Sequence, residues 1–351
     1  MSNLNINMKN LRRALLSWDT FLLVIILLEV LIFGLINPKF WRIGLLLNSI
    51  DDFLIIGVVA LSMTFVIITG GIDISAGSMI GLSSVVTGLL WQVYGMNIWL
   101  AAFFAILSGI LCGMLNGFLV SYLDIQAMVV TLGTSFLFSG IALVLMRFAG
   151  VSAYEGISGF PQSFKSLMSG HIIPGLPNSI FILIILVLIS LVLLSKSKYG
   201  RYVILTGINQ NAAIYSGINT RIIKMSAYML VGMSSAFSGI LLSSYLNSSR
   251  SDFGAETTLS IITAVVLGGT LITGGKGSVI GTLLATFVLG FMKFGLQMAR
   301  VPTQYTNIPT GVLLIIASLI GALSGNSYFR SRLKLVFNRP KKSVNNFEKK
   351  L

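Results

Sequence analysis

Ten apolar stretches, each close to the roughly 20 residues that cross a bilayer, constrain this chain more than any other feature. They run over about 17–36, 53–70, 78–94, 98–122, 127–147, 178–195, 223–246, 258–273, 278–298 and 307–324. In hydrocarbon, backbone N–H and C=O groups find no water, so a spanning segment must satisfy them itself. Apolar runs of this length therefore predict an all-α fold: a polytopic membrane helix bundle with about ten transmembrane helices. Charged residues make up only 10% of the chain, against about 25% in a soluble domain. Residues 1–325 read as one transmembrane domain and 326–351 as a basic cytoplasmic tail.

Charge sets the orientation. The net charge is +14, and its distribution points to topology rather than to nucleic acid. Most basic residues fall in the N-terminal arm (Lys9, Arg12, Arg13), in the 196–224 connection (Lys196, Lys198, Arg201, Arg221, Lys224) and in the tail. An even number of spans places all three on one side, which the positive-inside rule makes cytoplasmic. The other face balances Lys39, Arg42, Lys165, Arg250 and Arg300 against Asp51, Asp52, Glu155, Asp252 and Glu256. The basic segments meet anionic lipid headgroups. The first apolar stretch ends in Asn37-Pro38-Lys39 without a small-x-small cleavage site, and reads as a retained helix rather than a signal peptide.

Chemistry on a substrate finds no support. Cys112 lies in an apolar run and His171 in a loop, with no metal-ligand spacing. Gly274-Gly-Lys-Gly-Ser278 is not a phosphate loop, because Thr270 stands at the first glycine position and Gly277 follows Lys276. No nucleotide site, cofactor or catalytic triad is expected in this chain.

What remains is transport machinery. Thr69-Gly-Gly71 with Gly77-Ser-Met-Ile-Gly81 is echoed by Thr273-Gly-Gly275 with Gly277-Ser-Val-Ile-Gly281. Paired glycine-interrupted segments mark repeat architecture and the transport path in membrane carriers. Asp73 in the first break, with Ser75 and Gly77, reads either as a cap for the next helix or as a gating element. Gly109, Gly113 and Gly117 make a stripe beside Asn116, either a packing seam or a pathway wall. Glu29 and Lys293 lie within spans and are the candidates for an ion relay, or for pairing with each other. Between Gly207 and Gly217 a short helical run with Asn209, Ala212 and Ala213 reads either as an ordinary cytoplasmic loop or as a helix suited to a groove on a soluble partner. The outer loops 149–178 and 247–257, with Glu155, Arg250 and Asp252, are candidates for receiving an external partner.

Several of these motifs occur together, and in order, in a known family. Gly71-Ile-Asp-Ile-Ser-Ala-Gly-Ser78, Asn116-Gly117, Val130-Thr-Leu-Gly-Thr134, the Gly207–Ala213 run and Gly268–Thr282 resemble the ribose-type permeases of ATP-binding-cassette importers. Tyr154–Pro161, Ser249–Ala255 and Gly295–Pro302 look like the autoinducer-2 branch of that family. The resemblance implies a permease in a bacterial inner membrane that moves autoinducer-2, a small sugar-like furanose. It would pair with a homologous second permease, two ATPase subunits that hold ATP and Mg, and an extracytoplasmic binding protein. It assigns Gly207, Asn209, Ala212, Ala213 and Gly217 to ATPase coupling, and Asp73, Ser75 and Gly77 to the signature loop. Asn116, Thr131, Thr134 and Gln297 are its candidate path residues, and Glu155, Arg250 and Asp252 its candidates for binding-protein docking. A permease for ribose or another monosaccharide is the alternative within the class. An ion-coupled carrier working through Glu29 or Asp73, and a membrane scaffold recruiting partners by its tail, are the alternatives outside it.

Overall fold

A computed structural model of the chain describes residues 18–151 and 155–325. In order the helices are α1 (Trp18–Ile36), α2 (Ile43–Asn48), α3 (Ile50–Ile68), α4 (Ala76–Gln92), α5 (Ile98–Ser121), α6 (Ala127–Phe148) and α7 (Gln162–Ser169). They continue with α8 (Asn178–Leu191), α9 (Lys198–Ile208), α10 (Gln210–Tyr215), α11 (Thr220–Leu246), α12 (Thr257–Leu267), α13 (Val279–Met298) and α14 (Asn307–Gly325). Nine of the ten expected spans match a helix to within a few residues, and the eighth does so only in its first part. Seven of the described helices are long and apolar enough to cross a membrane: α1, α3, α5, α6, α8 with its π-helical extension to Lys196, α11 and α13. The N-terminal arm and the basic tail lie outside the described residues.

Burial ranks the helices. In α3 89% of the apolar window is buried, against 11% in α1, so α3 is the centre of the bundle and α1 its rim. α11 packs on α3, α4 and α5. The α5–α11 contact explains the glycine stripe. A Cβ at Gly113 would run into the Tyr228 carbonyl and Met229 Cα, one at Gly109 into Gly232, and one at Gly117 into Met225. The stripe is a seam that lets two backbones touch.

Two features depart from the simple ten-span picture. The eighth span, expected over 258–273, is helical only to Leu267, because Gly269, Gly274 and Gly275 adopt φ of +86°, +86° and +80°. Such values suit glycine and end a right-handed helix. With 11 residues, α12 is roughly 16 Å long, half a hydrocarbon thickness.

The second departure is the 247–257 connection, expected on the outer surface. Its start lies at one end of the bundle, with β2 (Ser248–Ser249) pairing antiparallel to β1 (Ile157–Ser158) of the other loop expected on that surface. The chain then descends along α4. Ser249 packs at Gly88, the Ser251 and Phe253 carbonyls at Gly81, and Gly254 with Thr258 at Gly77. From Gly88 to Gly77 this is a descent of roughly 16 Å. The three glycines form a strip without Cβ atoms on one face of α4, and the descending backbone fills it. α12 thus begins inside the bundle.

Candidate translocation and coupling sites

The first glycine-rich break is folded into the bundle. After Ile68 the chain turns at Gly70 (φ +82°) and enters α4 at Ala76. Asp73 has no exposed surface. Its Oδ1 accepts from the Ser75 N–H at 2.9 Å and the Ser75 hydroxyl at 2.7 Å, which is an Asx turn feeding the helix. Asn116 of α5 donates through Nδ2 to Ser75 Oγ at 2.8 Å and lies 3.4 Å from each Asp73 oxygen. The Ile72 carbonyl accepts from Thr131 of α6 at 3.3 Å and Tyr228 of α11 at 3.4 Å. Thr134 donates to the Thr131 carbonyl one turn along α6. The Gly77 N–H donates to Thr258 Oγ1 at 3.2 Å.

Asp73, Ser75, Gly77, Asn116, Thr131 and Thr134 therefore come together, but as a closed network. Asn116 and Thr131 are fully buried, and Asn116 Oδ1 has no hydrogen-bond partner. Side chains of α5, α6 and α11 hold the joint between α3 and α4. Gln297 is not part of it. It is exposed near the end of α13, which packs on α1, α3 and α12. Glu29 and Lys293 are not paired either: among the described residues the ion pair within 4 Å joins Arg250 and Asp252. Glu29 Oε2 is buried without a partner.

The 196–224 segment is two helices with a kink. Ser197 Oγ caps α9 by accepting from Gly200 N at 3.0 Å. Asn209 leaves helical geometry (φ −157°, ψ 105°), and its side chain caps α10 by accepting from Ala212 N at 3.0 Å. Gly217 closes α10 at φ +79°. Lys224 Nζ donates to Gln210 Oε1 at 2.6 Å, tying α10 to α11.

Gly207 joins this segment to both glycine-rich breaks. A Cβ there would overlap the Ile68 carbonyl and the Gly275 nitrogen. The Gly275 N–H in turn donates to the Ile68 carbonyl at 2.8 Å. The end of α3, the 268–278 break and the end of α9 thus meet backbone to backbone. Ala213 points inward and is 3% exposed. The apolar surface that faces out includes Ile208, Ile214 and Tyr215, the last 91% exposed, together with the exposed Tyr202, Leu205 and Ile222. The expected coupling residues Gly207, Asn209, Ala212, Ala213 and Gly217 do not include these exposed side chains. Their signal was bulky apolar side chains within a polar, basic connection.

On the outer side the β1–β2 pair brings the two candidate loops together. Gly156 (φ +72°) packs against Ser248 and Arg250, with exposed Glu155 beside it. Arg250 makes a bidentate ion pair with Asp252, at 2.9 and 2.6 Å. The Arg250 N–H donates to Ser84 Oγ at 3.3 Å. Arg250 and Asp252 therefore sit at the start of the descending stretch, Arg250 in contact with Gly156 beside Glu155.

Comparison with known proteins agrees with this architecture. Residues 45–318 match a family described as branched-chain amino acid transport system / permease component. The chain is 41% identical over 309 residues to the autoinducer 2 import system permease protein LsrD of Enterobacter sp. strain 638, covering 88% of this chain and 94% of that one. It is 41% identical to the protein of the same name from Klebsiella pneumoniae, covering 88% and 92% of the two chains. It is 43% identical over 299 residues to that of Escherichia coli K12, covering 85% and 90%. No solved structure matches.

Proposed function

The chain belongs to the family of transport-system permease components, and on that premise we propose that it is one membrane half of an ATP-driven importer of autoinducer-2. A homologous permease forms the other half. Two ATPase subunits, carrying ATP and Mg, bind below, and an extracytoplasmic binding protein delivers the ligand from above. Both termini are cytoplasmic, in a bacterial inner membrane.

The observation that carries the ATP-driven reading is the unpartnered apolar end of the 196–224 segment. Ile208, Ile214 and Tyr215 are exposed on a basic connection that nothing else in the described chain covers. Exposed bulky residues on a polar surface mark an interaction site, and a carrier working alone has no use for one. ATP binding draws the ATPases together and moves α9 and α10. Gly207 passes that motion to the Ile68 end of α3 and to the 268–278 break. The bundle then exchanges outward-open and inward-open arrangements. The substrate follows the relatives, whose likeness runs along nearly the whole of both chains.

Reconstitution tests this reading. The chain is placed in proteoliposomes with a second permease, the ATPase and the binding protein. ATP-dependent uptake of labelled autoinducer-2 that excess ribose does not suppress is the expected result. Uptake of ribose alone replaces the substrate, and uptake by the lone chain removes the importer.

A further inference from the structure

The descending 249–258 chain carries an exposed carboxylate deep into the bundle. Glu256 is exposed, and its neighbours Gly254 and Thr258 both pack at Gly77. Gly77 lies near the start of α4, so this level is roughly 22 Å below the Gln92 end of that helix. Among the described residues Glu256 has no ion-pair partner within 4 Å. A carboxylate in contact with lipid at such depth is strongly disfavoured, so it faces water or a polar partner.

A second observation lies across the same turn of α4. Ser78 Oγ is 2.8 Å from Ser135 Oγ, and Ser139 Oγ donates to Ser78 Oγ at 3.1 Å. All three serines are only partly buried. Ser135 and Ser139 stand roughly 12 and 18 Å along α6 from its first residue, within the middle of the helix. Hydrocarbon offers hydroxyls no partner, and a shared hydroxyl chain that remains open to the surface has donors and acceptors to spare. The first turn of α4 thus touches the serine pair of α6 through Ser78 and the Glu256 stretch through Gly77.

We propose that Ser78, Ser135, Ser139 and Glu256 form this chain's wall of the substrate path, taking up the hydroxyl groups of a neutral, sugar-like furanose. The inference rests on the importer reading, which supplies the second permease as the opposite wall. The chemistry matches in both directions. Serine hydroxyls donate and accept, the carboxylate accepts, and a polyol presents several hydroxyls at once. Each contact is weak enough to exchange with water, as passage requires. The buried Asn116 and Thr131 hold the floor of this wall by fixing the 69–75 joint.

Water access and protection by substrate test the assignment in the assembled complex. Single cysteines replace Ser139 or Glu256 in a Cys112→Ser background, with Ile185→Cys on the exposed apolar face of α8 as the lipid-facing control. A charged, water-soluble thiol reagent should modify the first two roughly tenfold faster than the control, because hydrocarbon excludes the reagent. Saturating autoinducer-2 should slow both severalfold and leave the control unchanged. Reaction as slow as the control, or reaction that autoinducer-2 does not slow, overturns the proposal. Glu256→Leu should raise the KM of uptake about tenfold, the scale of one lost hydrogen bond to a charged group, while assembly and ATP hydrolysis persist. An unchanged KM overturns it too. Uptake by the unmodified complex keeps the two levels apart. If that complex does not move autoinducer-2 the importer reading falls, whereas uptake without protection removes only this wall.

Discussion

Asn116 and Tyr215 show what single side chains do in the interior and on the surface of the same end of this molecule. Among the described residues Asn116 is the side chain from another helix within hydrogen-bond distance of both Asp73 oxygens, and it also holds Ser75. Asn116→Leu keeps the volume and removes the donor. A buried group left without its partner costs about 1–3 kcal/mol, more when charged. We expect a clear fall in the melting temperature of the purified complex, with the joint between α3 and α4 loosened. Thr134→Val, which removes a single bond to the Thr131 carbonyl, should fall by much less. An equal fall for both would count against the network around Asp73 as the holding element. Tyr215 is the reverse case, since its ring is almost wholly in solvent. Tyr215→Ala should leave the fold intact and weaken ATPase association by about 2 kcal/mol, or roughly thirtyfold, as for a buried aromatic anchor. Ala213→Arg, by contrast, forces a charge beneath α10 and should disrupt the segment itself. Titration of the ATPase against the solubilised permease separates the two outcomes.

At the scale of elements, the glycine contacts decide which helices move together. Gly207 sits against the Ile68 carbonyl and the Gly275 nitrogen, with no room for a methyl group. Overpacking such a site costs about 1–3 kcal/mol and shifts backbone. Gly207→Ala should therefore leave the ATPase bound and hydrolysing while uptake falls severalfold, because α9 no longer seats on the two breaks. Hydrogen exchange on the unmodified complex gives an independent check. On ATP addition, protection in 69–75 and 271–278 should change together with that in 205–215. A change confined to 205–215 would show that the junction transmits nothing. These elements also mark how far the sequence could be read. The position of a helix in each of the ten expected spans was legible, because an apolar run in lipid has one way to satisfy its backbone, but the early end of the eighth at Leu267 was not. The α5 seam was legible from Gly109, Gly113 and Gly117, since a four-residue spacing sets one helical face. The convergence of Asp73, Ser75 and Asn116 was not legible, because Asn116 reads from sequence only as a neighbour of the α5 glycine stripe or a path residue. The descent of 249–258 was not legible. It depends on Gly77, Gly81 and Gly88 being filled by a distant stretch of backbone, and a polar stretch with Arg250, Asp252 and Glu256 reads as a surface loop until that packing is known. The inward turn of Ala213 was hidden for the same reason: α10 is six residues long, too short for periodicity to fix its facing.

For the whole molecule the question is which side faces the cytoplasm and what drives transport. The basic 196–224 segment and the β1–β2 pair lie at opposite ends of the bundle. Ser197→Cys should resist an impermeant thiol reagent added to intact cells, while Ser158→Cys, exposed in β1, should react. Labelling at Ser197 from outside would invert the topology. The energy source follows from the same layout. Glu29 and Asp73 are the acids that an ion-coupled carrier would need. Asp73 is closed off by Ser75 and Asn116, a poor place for a proton to come and go. Glu29 is on α1, the rim helix, with one oxygen buried and unpartnered. Among the described residues neither forms an ion pair within 4 Å, whereas Ile208, Ile214 and Tyr215 are exposed on the basic segment. Glu29→Gln keeps size and most hydrogen bonding while removing the charge, so uptake by the full complex should remain substantial. Uptake should survive collapse of the proton gradient while ATP is maintained, and stop when the partner ATPase is disabled. Proteoliposomes holding this chain alone give the sharpest form of the test. An imposed proton gradient should drive no accumulation there, because on the proposed reading the energy comes from another subunit docked at Ile208, Ile214 and Tyr215. Accumulation by the lone chain, lost again in Glu29→Gln, would make it a secondary carrier.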